Sequence, residues 1–287
     1  MTSAISNRSR VYRLKKLLQS LYSRPASAFG FSLVIFFLFL AIFGPLIAPY
    51  GANEQIAADA RQPPSISHIL GTDNLGRDVL SRIILGAWSI VSLAGLGTLL
   101  AVLAGLVIGM FSAYRGAWID EVSMRLFDSL LAIPALLLAL VLLGSIGPSK
   151  NSILIVIVIV YTPIVARVVR SVVLSVKSRG FVEAAQLRGE SQFYILSREI
   201  LPSVIPVLVV EAAMRFSYAI FLVASLGFLG LGVQPPEPDW GLMVKEARIN
   251  FTQTPWAMYF PAGAIAIIVV GVNLAADGLR RAWQNDA

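Results

Sequence analysis

Glu211 and Arg215 stand four residues apart inside an otherwise apolar stretch, the interval that brings two side chains together on one helix face. Ionisable groups in such a stretch are costly to bury. The pair therefore reads either as a self-neutralising structural brace or as polar lining of a solute path. Asp277, close to Arg280 and Arg281, is a further candidate. A proton or sodium relay would need more unpaired carboxylates at mid-depth than these. The common catalytic constellations are missing. None of the five lysines follows a glycine, which removes the loop in which lysine reaches terminal phosphates from a glycine-rich turn. The single histidine, His68, has no second histidine or cysteine with which to build a zinc site, and it is expected to cap or solvate a loop. "LGSIG" around Ser145 lacks the spacing of a nucleophile elbow. With no cysteine there is neither a disulfide nor a thiolate metal site. The chain is expected to be no enzyme, to bind no cofactor of its own and to hold no metal.

The elements that carry these residues are membrane spans. Hydrophobic residues make up 57% of the chain and charged ones 14%, where soluble domains carry about a quarter charged. A helix crosses roughly 30 Å of hydrocarbon with about 20 apolar residues. Six stretches meet that length: 29–49, 88–113, 129–147, 152–171, 203–231 and 260–279. The first begins too late and runs too long for a signal peptide, and no small-residue cleavage site follows it. The expected fold is all-α and polytopic, with Glu211 and Arg215 on the fifth span and Asp277 at the end of the sixth. Ala101, Gly105 and Gly109 recur every fourth residue on the second span. That spacing suits close helix approach, with lining of a path as the alternative. Pro134 and Pro163 predict kinks in the third and fourth spans.

Lysine and arginine in short loops mark the cytoplasmic side. With six spans, both termini share a side with the loops after the second and fourth, and that side holds sixteen basic residues against six opposite. Both termini are therefore expected in the cytoplasm. This asymmetry accounts for the net charge of +7 without invoking nucleic acid. The domain plan runs from a basic N-terminal segment at 1–28, through the first span at 29–49 and an external loop at 50–87, to a core at 88–281 and a tail at 282–287. Residues 8–24 read either as an amphipathic surface segment or as a disordered basic tail. In the external loop, Asp73, Arg77 and Asp78 read either as a folded turn motif or as solvated turn residues.

Between the fourth and fifth spans lies a polar segment, 177–202, containing "EAAQLRGESQFYILSREILP". Residues 181–188 can form two helical turns on which Ala184 and Ala185 offer a flat surface. Gly189 permits a sharp turn, and Ser191 can cap a second helix. Phe193, Leu196 and Ile200 then form one apolar stripe, and Pro202 ends that helix and can begin the next. The product is a short rigid knuckle. A stripe on so short a helix requires a partner surface. Since the chain lacks a phosphate-binding loop, that partner is expected to be the protein that supplies energy.

This segment resembles the EAA loop of bacterial ABC importer permeases. "LGTDNLGRDVLSRIILGAW", "SLGFLGLGVQPPEPDWGLM" and "NLAADGLRRAW" resemble, in order and spacing, segments of the peptide and nickel importer permeases, specifically the C-type subunit. "PLIAPYGANEQ" resembles that group's N-terminal region. The resemblance implies a type I permease fold in the bacterial cytoplasmic membrane. It places ATPase coupling on Glu183, Ala184, Ala185, Gly189, Leu201 and Pro202. Arg188 and Glu190 depart from the small or apolar residues usual beside the glycine. It also implies a heterodimer with a homologous second permease, two ATPase subunits that use ATP and magnesium, and an extracytoplasmic solute-binding protein. The implied cargo is a di- or oligopeptide, with nickel, glutathione or opine-like solutes as alternatives. An ion-coupled secondary transporter acting alone is the reading from another class.

Overall fold

The computed structural model describes residues 24–284. The basic segment at 8–23 and the last three residues of the C-terminal tail therefore lie outside the described residues. The described residues form helices α1 (Pro25–Ile47), α2 (Val79–Arg115), α3 (Ala117–Leu131), α4 (Ala135–Ile146), α5 (Lys150–Lys177), α6 (Gly180–Leu187), α7 (Gln192–Leu229), α8 (Trp240–Ile249) and α9 (Pro255–Gln284). Five of them, α1, α2, α5, α7 and α9, are long and apolar enough to cross a membrane. The bent pair α3 and α4 supplies a sixth crossing if counted as one span. One face of the bundle carries the loops at 48–78 and 230–254, and the opposite face carries residues 178–191. They are called here the loop face and the knuckle face.

The bundle is built on close backbone approach. A Cβ added to Gly97 would lie 2.7 Å from the Ile157 side chain, and one on Gly105 would lie 2.6 Å from Val165 Cβ. Gly109 meets Ala166 and Val169 in the same way. The small-residue face of α2 is therefore packed against α5 and lines no path within this subunit, the geometry that small side chains every fourth residue permit. Gly30 on α1 and Gly271 on α9 make a second close crossing, against Leu274 and Leu33 respectively.

The second and third spans and the region before the last span differ most from the sequence expectation. The second span starts at Val79 rather than 88, because Asp78 caps it by accepting from Ser81 N at 2.8 Å. Nine residues assigned to the loop thus belong to the helix. The third span is not one kinked helix. It is α3 and α4, bent by 90°, with Pro134 capping the second piece. Proline lacks the N–H that would continue the helix and restricts the residue before it, so the chain breaks here. Pro163, by contrast, sits inside an uninterrupted α5. Helix α8, on the loop face, fell within a region read only as loop.

Asp73, Arg77, Asp78 and His68 are buried. Arg77 Nε and Arg82 Nη1 both donate to Asp73 Oδ2, at 2.6 and 2.8 Å, and Arg77 Nη2 donates to Glu246 Oε2 on α8 at 2.7 Å. His68 Nδ1 lies 3.0 Å from Asp78 Oδ1, so the histidine is a core residue and does not face solvent. The folded-turn reading of this loop holds, and the solvated one does not. Trp240 is fully buried and donates from its indole to Ile83 O at 2.9 Å; Trp256 donates to Thr72 O at 2.8 Å. Loop, α2, α8 and the start of α9 are thereby fastened into one cap.

Candidate functional site

The knuckle begins where α5 runs out at Lys177, whose ammonium donates to Tyr114 O at 2.6 Å and so caps the last turn of α2. Helix α6 follows after Ser178 and Arg179. Its inner face, Val182 and Ala185, is fully buried against a cluster that includes Met110, Val173, Val176, Ile195 and Ile200. Its outer face exposes Glu183 and Ala184. The two adjacent alanines therefore serve opposite sides: Ala185 packs the knuckle onto the bundle, and Ala184 leaves a low surface outside.

Gly189 has φ +75°, the left-handed conformation that favours glycine. Around it, Glu190 N donates to Ala185 O at 3.2 Å and Gly189 N donates to Gln186 O at 2.9 Å, the double bond of a Schellman stop. Ser191 then accepts from Tyr194 N at 3.2 Å and starts α7. Helix, glycine turn and serine-capped helix are all as the sequence indicates.

The next segment corrects two expectations. Pro202 does not end the second helix, because α7 runs unbroken from Gln192 to Leu229. It does so through a π-helical stretch, Ile195–Ile200, in which Leu201 N donates to Leu196 O, five residues back. An α-turn would drive the Pro202 ring against the carbonyl four residues earlier, and the wider turn relieves that contact. The widening also redistributes the apolar residues. Ile195 and Ile200 face the bundle, whereas Phe193 stands 80% exposed. Phe193, Leu196 and Ile200 are therefore not one outward stripe. Leu187, at the end of α6, is 90% exposed. Leu187 and Phe193 flank the glycine turn and carry the apolar surface the stripe was expected to supply. Sequence reasoning passed over Leu187; its signal was an apolar residue directly beside the stop. Leu201 is half-buried against the inner cluster and Pro202 is exposed. Arg188 lies 3.7 Å from both Glu190 and Glu199, which ties the turn to the π-helical stretch.

Glu211 and Arg215 meet as their spacing indicates, with Arg215 Nε 2.8 Å from Glu211 Oε1. Both side chains turn inward, at 7% and 12% exposed. The contact is an ion pair in poor alignment, and neither atom completes a hydrogen bond. The guanidinium also lies over the rings of Tyr218, at 4.8 Å, and Tyr161 on α5, at 6.0 Å. Asp277 is exposed at the knuckle end of α9. Among the described residues no three His, Cys, Asp or Glu side chains come together as a metal-binding group.

A helical bundle with five to six apolar spans and a polar, helix-turn-helix protrusion on one face is the architecture of an integral membrane protein. The profile described as "Binding-protein-dependent transport system inner membrane component" matches residues 105–285, and the chain belongs to that family. A second profile, "N-terminal TM domain of oligopeptide transport permease C", matches residues 13–64, which makes the chain a C-type permease subunit of the peptide ABC importer group. It is 38% identical over 253 residues to the dipeptide transport system permease DppC of Alkalihalophilus pseudofirmus, covering 88% of this chain and 83% of the relative. The di/tripeptide permease DppC of Pseudomonas aeruginosa is 35% identical over 275 residues, covering 94% and 91%. The glutathione permease GsiD of Escherichia coli O1:K1 is 41% identical over 254 residues, covering 87% and 82%. Among solved structures, the inward-facing MetNI methionine ABC transporter aligns with a TM-score of 0.57 at 18% identity, covering 70% of this chain and 95% of that one. That likeness concerns the fold. The relatives named are transport permeases and not enzymes.

Proposed function

We propose that this chain imports di- or oligopeptides as one half of a permease heterodimer in a bacterial cytoplasmic membrane, with both termini and the knuckle in the cytoplasm. Two ATPase subunits dock on the cytoplasmic side, one of them on residues 177–202 of this chain, and a solute-binding protein delivers cargo to the loop face. Glu183, Ala184 and Gly189 form the docking surface together with Leu187 and Phe193. Ala185 and Leu201 hold that surface to the bundle, and Pro202 follows the π-helical turn that leaves Phe193 outside. The observation that carries this reading is the pair of large apolar side chains, Leu187 and Phe193, held exposed on a stapled turn beyond the membrane spans. Such groups stand rigidly in water only at a cost that a protein partner removes. ATP and magnesium act in the partner subunits, and closure of those subunits would move the knuckle. Arg215, paired with Glu211, borders the path through its contact with Tyr218, which faces out of the subunit.

The peptide cargo rests on the named relatives. Glutathione, itself a short peptide, is the second reading, favoured by the 41% identity to a glutathione permease. The test is to purify the chain with its genomic neighbours and measure ATP hydrolysis with and without loaded binding protein. Peptide-stimulated hydrolysis supports the proposal. Uptake by this chain alone, in vesicles without nucleotide, would establish the secondary-transporter reading instead.

A further inference from the structure

A cavity of about 460 Å³ opens sideways between α1, α2 and the loop before α8. Its wall is apolar, formed by Ala41 and Pro45 on α1 and Trp88 on α2. Its rim is charged: Lys150 Nζ lies 2.6 Å from each carboxylate oxygen of Glu237, and Ser89 Oγ approaches Glu237 Oε2 at 3.5 Å. The cavity sits at the loop-face end of the spans. Pro45 lies in the last turn of α1, Lys150 is the first residue of α5, and Trp88 lies on α2 six residues past Arg82, the last charge before the apolar run. Aromatic and basic residues at this depth mark the boundary between hydrocarbon and headgroups. The transport reading above uses none of these residues.

We infer that this cavity binds one phospholipid of the adjoining leaflet, a zwitterionic lipid whose headgroup carries a phosphate and a primary ammonium. An acyl chain fits the wall of Ala41, Pro45 and Trp88. The headgroup inserts across the Lys150–Glu237 pair, its phosphate on the lysine and its ammonium on the glutamate, so that four charges alternate. Both rim side chains are nearly half exposed, and an exposed pair of this kind is held together weakly enough to open. Two features set the selectivity. An anionic headgroup without an amine meets the unpaired Glu237 carboxylate, and a quaternary choline has no N–H to donate to it. The expected order is phosphatidylethanolamine above phosphatidylcholine and phosphatidylglycerol.

The test uses the purified transporter complex in mixed micelles with equal amounts of the three lipids, reading retained lipid by native mass spectrometry. Phosphatidylethanolamine should be retained about fivefold over either competitor, the factor given by roughly 1 kcal/mol. Lys150→Gln and Glu237→Gln should each abolish that preference, and Trp88→Ala should lower total retention. Equal retention of the three lipids, or a preference unchanged by both charge substitutions, overturns the assignment. A photoreactive residue at position 88 supplies an independent arm: capture of lipid supports the proposal, and capture of another protein chain assigns the cavity to a subunit interface and refutes it.

Discussion

Arg77 Nη2 donates to Glu246 Oε2 at 2.7 Å, a bond between residues 169 positions apart that fastens the long loop to α8. The same arginine shares Asp73 with Arg82, so Asp73 is the hub of the group. Removing a partner from a buried ion network leaves an uncompensated charge, at a cost of about 3–5 kcal/mol. Asp73→Asn should therefore lower the melting temperature of the purified complex far more than Glu246→Gln, since Glu246 is partly exposed and leaves Asp73 in place. Equal losses would remove Asp73 from its central role.

At Gly189 an added Cβ meets nothing within 4 Å, so only its backbone angle resists substitution. Gly189→Ala should cost about 1–2 kcal/mol and Gly189→Asn less. Gly189→Pro cannot adopt φ +75° and also loses the bond to Gln186 O, so it should disrupt the knuckle. ATPase co-purification should fall progressively from the asparagine to the alanine to the proline variant. On the present reading, indifference to proline would exclude the turn from coupling.

Leu187 and Phe193 allow a cleaner separation of folding from docking, because both lie outside the packed cluster. Leu187→Ser and Phe193→Ser should leave thermal stability within about 0.5 kcal/mol. ATPase binding should nevertheless drop by about fivefold to thirtyfold for each, as expected for anchors worth about 1–2 kcal/mol. Normal co-purification of the double variant would move the docking surface elsewhere.

Asp239 caps α8 by accepting from Leu242 N at 2.7 Å, and burial pushes its carboxyl from 3.8 up to about 6. Between those pH values the folded chain keeps a proton that the unfolded chain has released. The Asp239 contribution to stability should therefore be greatest below the lower value, fall as the pH rises through the window, and level off above it. Asp239→Asn retains an oxygen for Leu242 N and removes the charge. It should flatten this profile and raise stability at neutral pH by up to about 3 kcal/mol. Melting curves of the complex at pH 4.5 and 8 measure it; an unchanged slope in the variant would assign the pH dependence to another group.

Arg215→Met strands the buried Glu211 carboxylate, whereas adding Glu211→Gln removes that charge as well. The single variant should be unstable and the double variant should recover most of the loss. Transport by the stable double variant then decides between the two roles of the pair. Retained uptake means a brace alone, and lost uptake with normal assembly means a contribution to the path.

Hydropathy made the spans legible because length in lipid is a one-dimensional constraint. The glycine spacing on α2 was equally readable, since close approach leaves a small residue at every fourth position. What stayed hidden were features fixed by partners distant in sequence. Residues 79–87 look like loop because they contain Arg82, whose charge is accommodated only by Asp73 and, across α8, by Glu246. Pro202 looks like a terminus because proline is expected to stop an α-turn, and nothing local announces the wider turn that lets α7 continue. At the knuckle, the glycine stop and serine cap depend on neighbouring atoms and were readable. The sorting of Ile195, Ile200 and Phe193 between inside and outside depends on that wider turn, and was not.

The continuity of α7 through Pro202 makes the knuckle and the fifth span a single strut. Its 38 residues reach roughly 57 Å, enough to cross the hydrocarbon and emerge on both sides. At its far end Gly227 lies against Asp239 and Gly241 at the start of α8. On the proposed reading, a tilt imposed near Ser191 would be carried along this one helix to the loop-face end, where the solute is delivered.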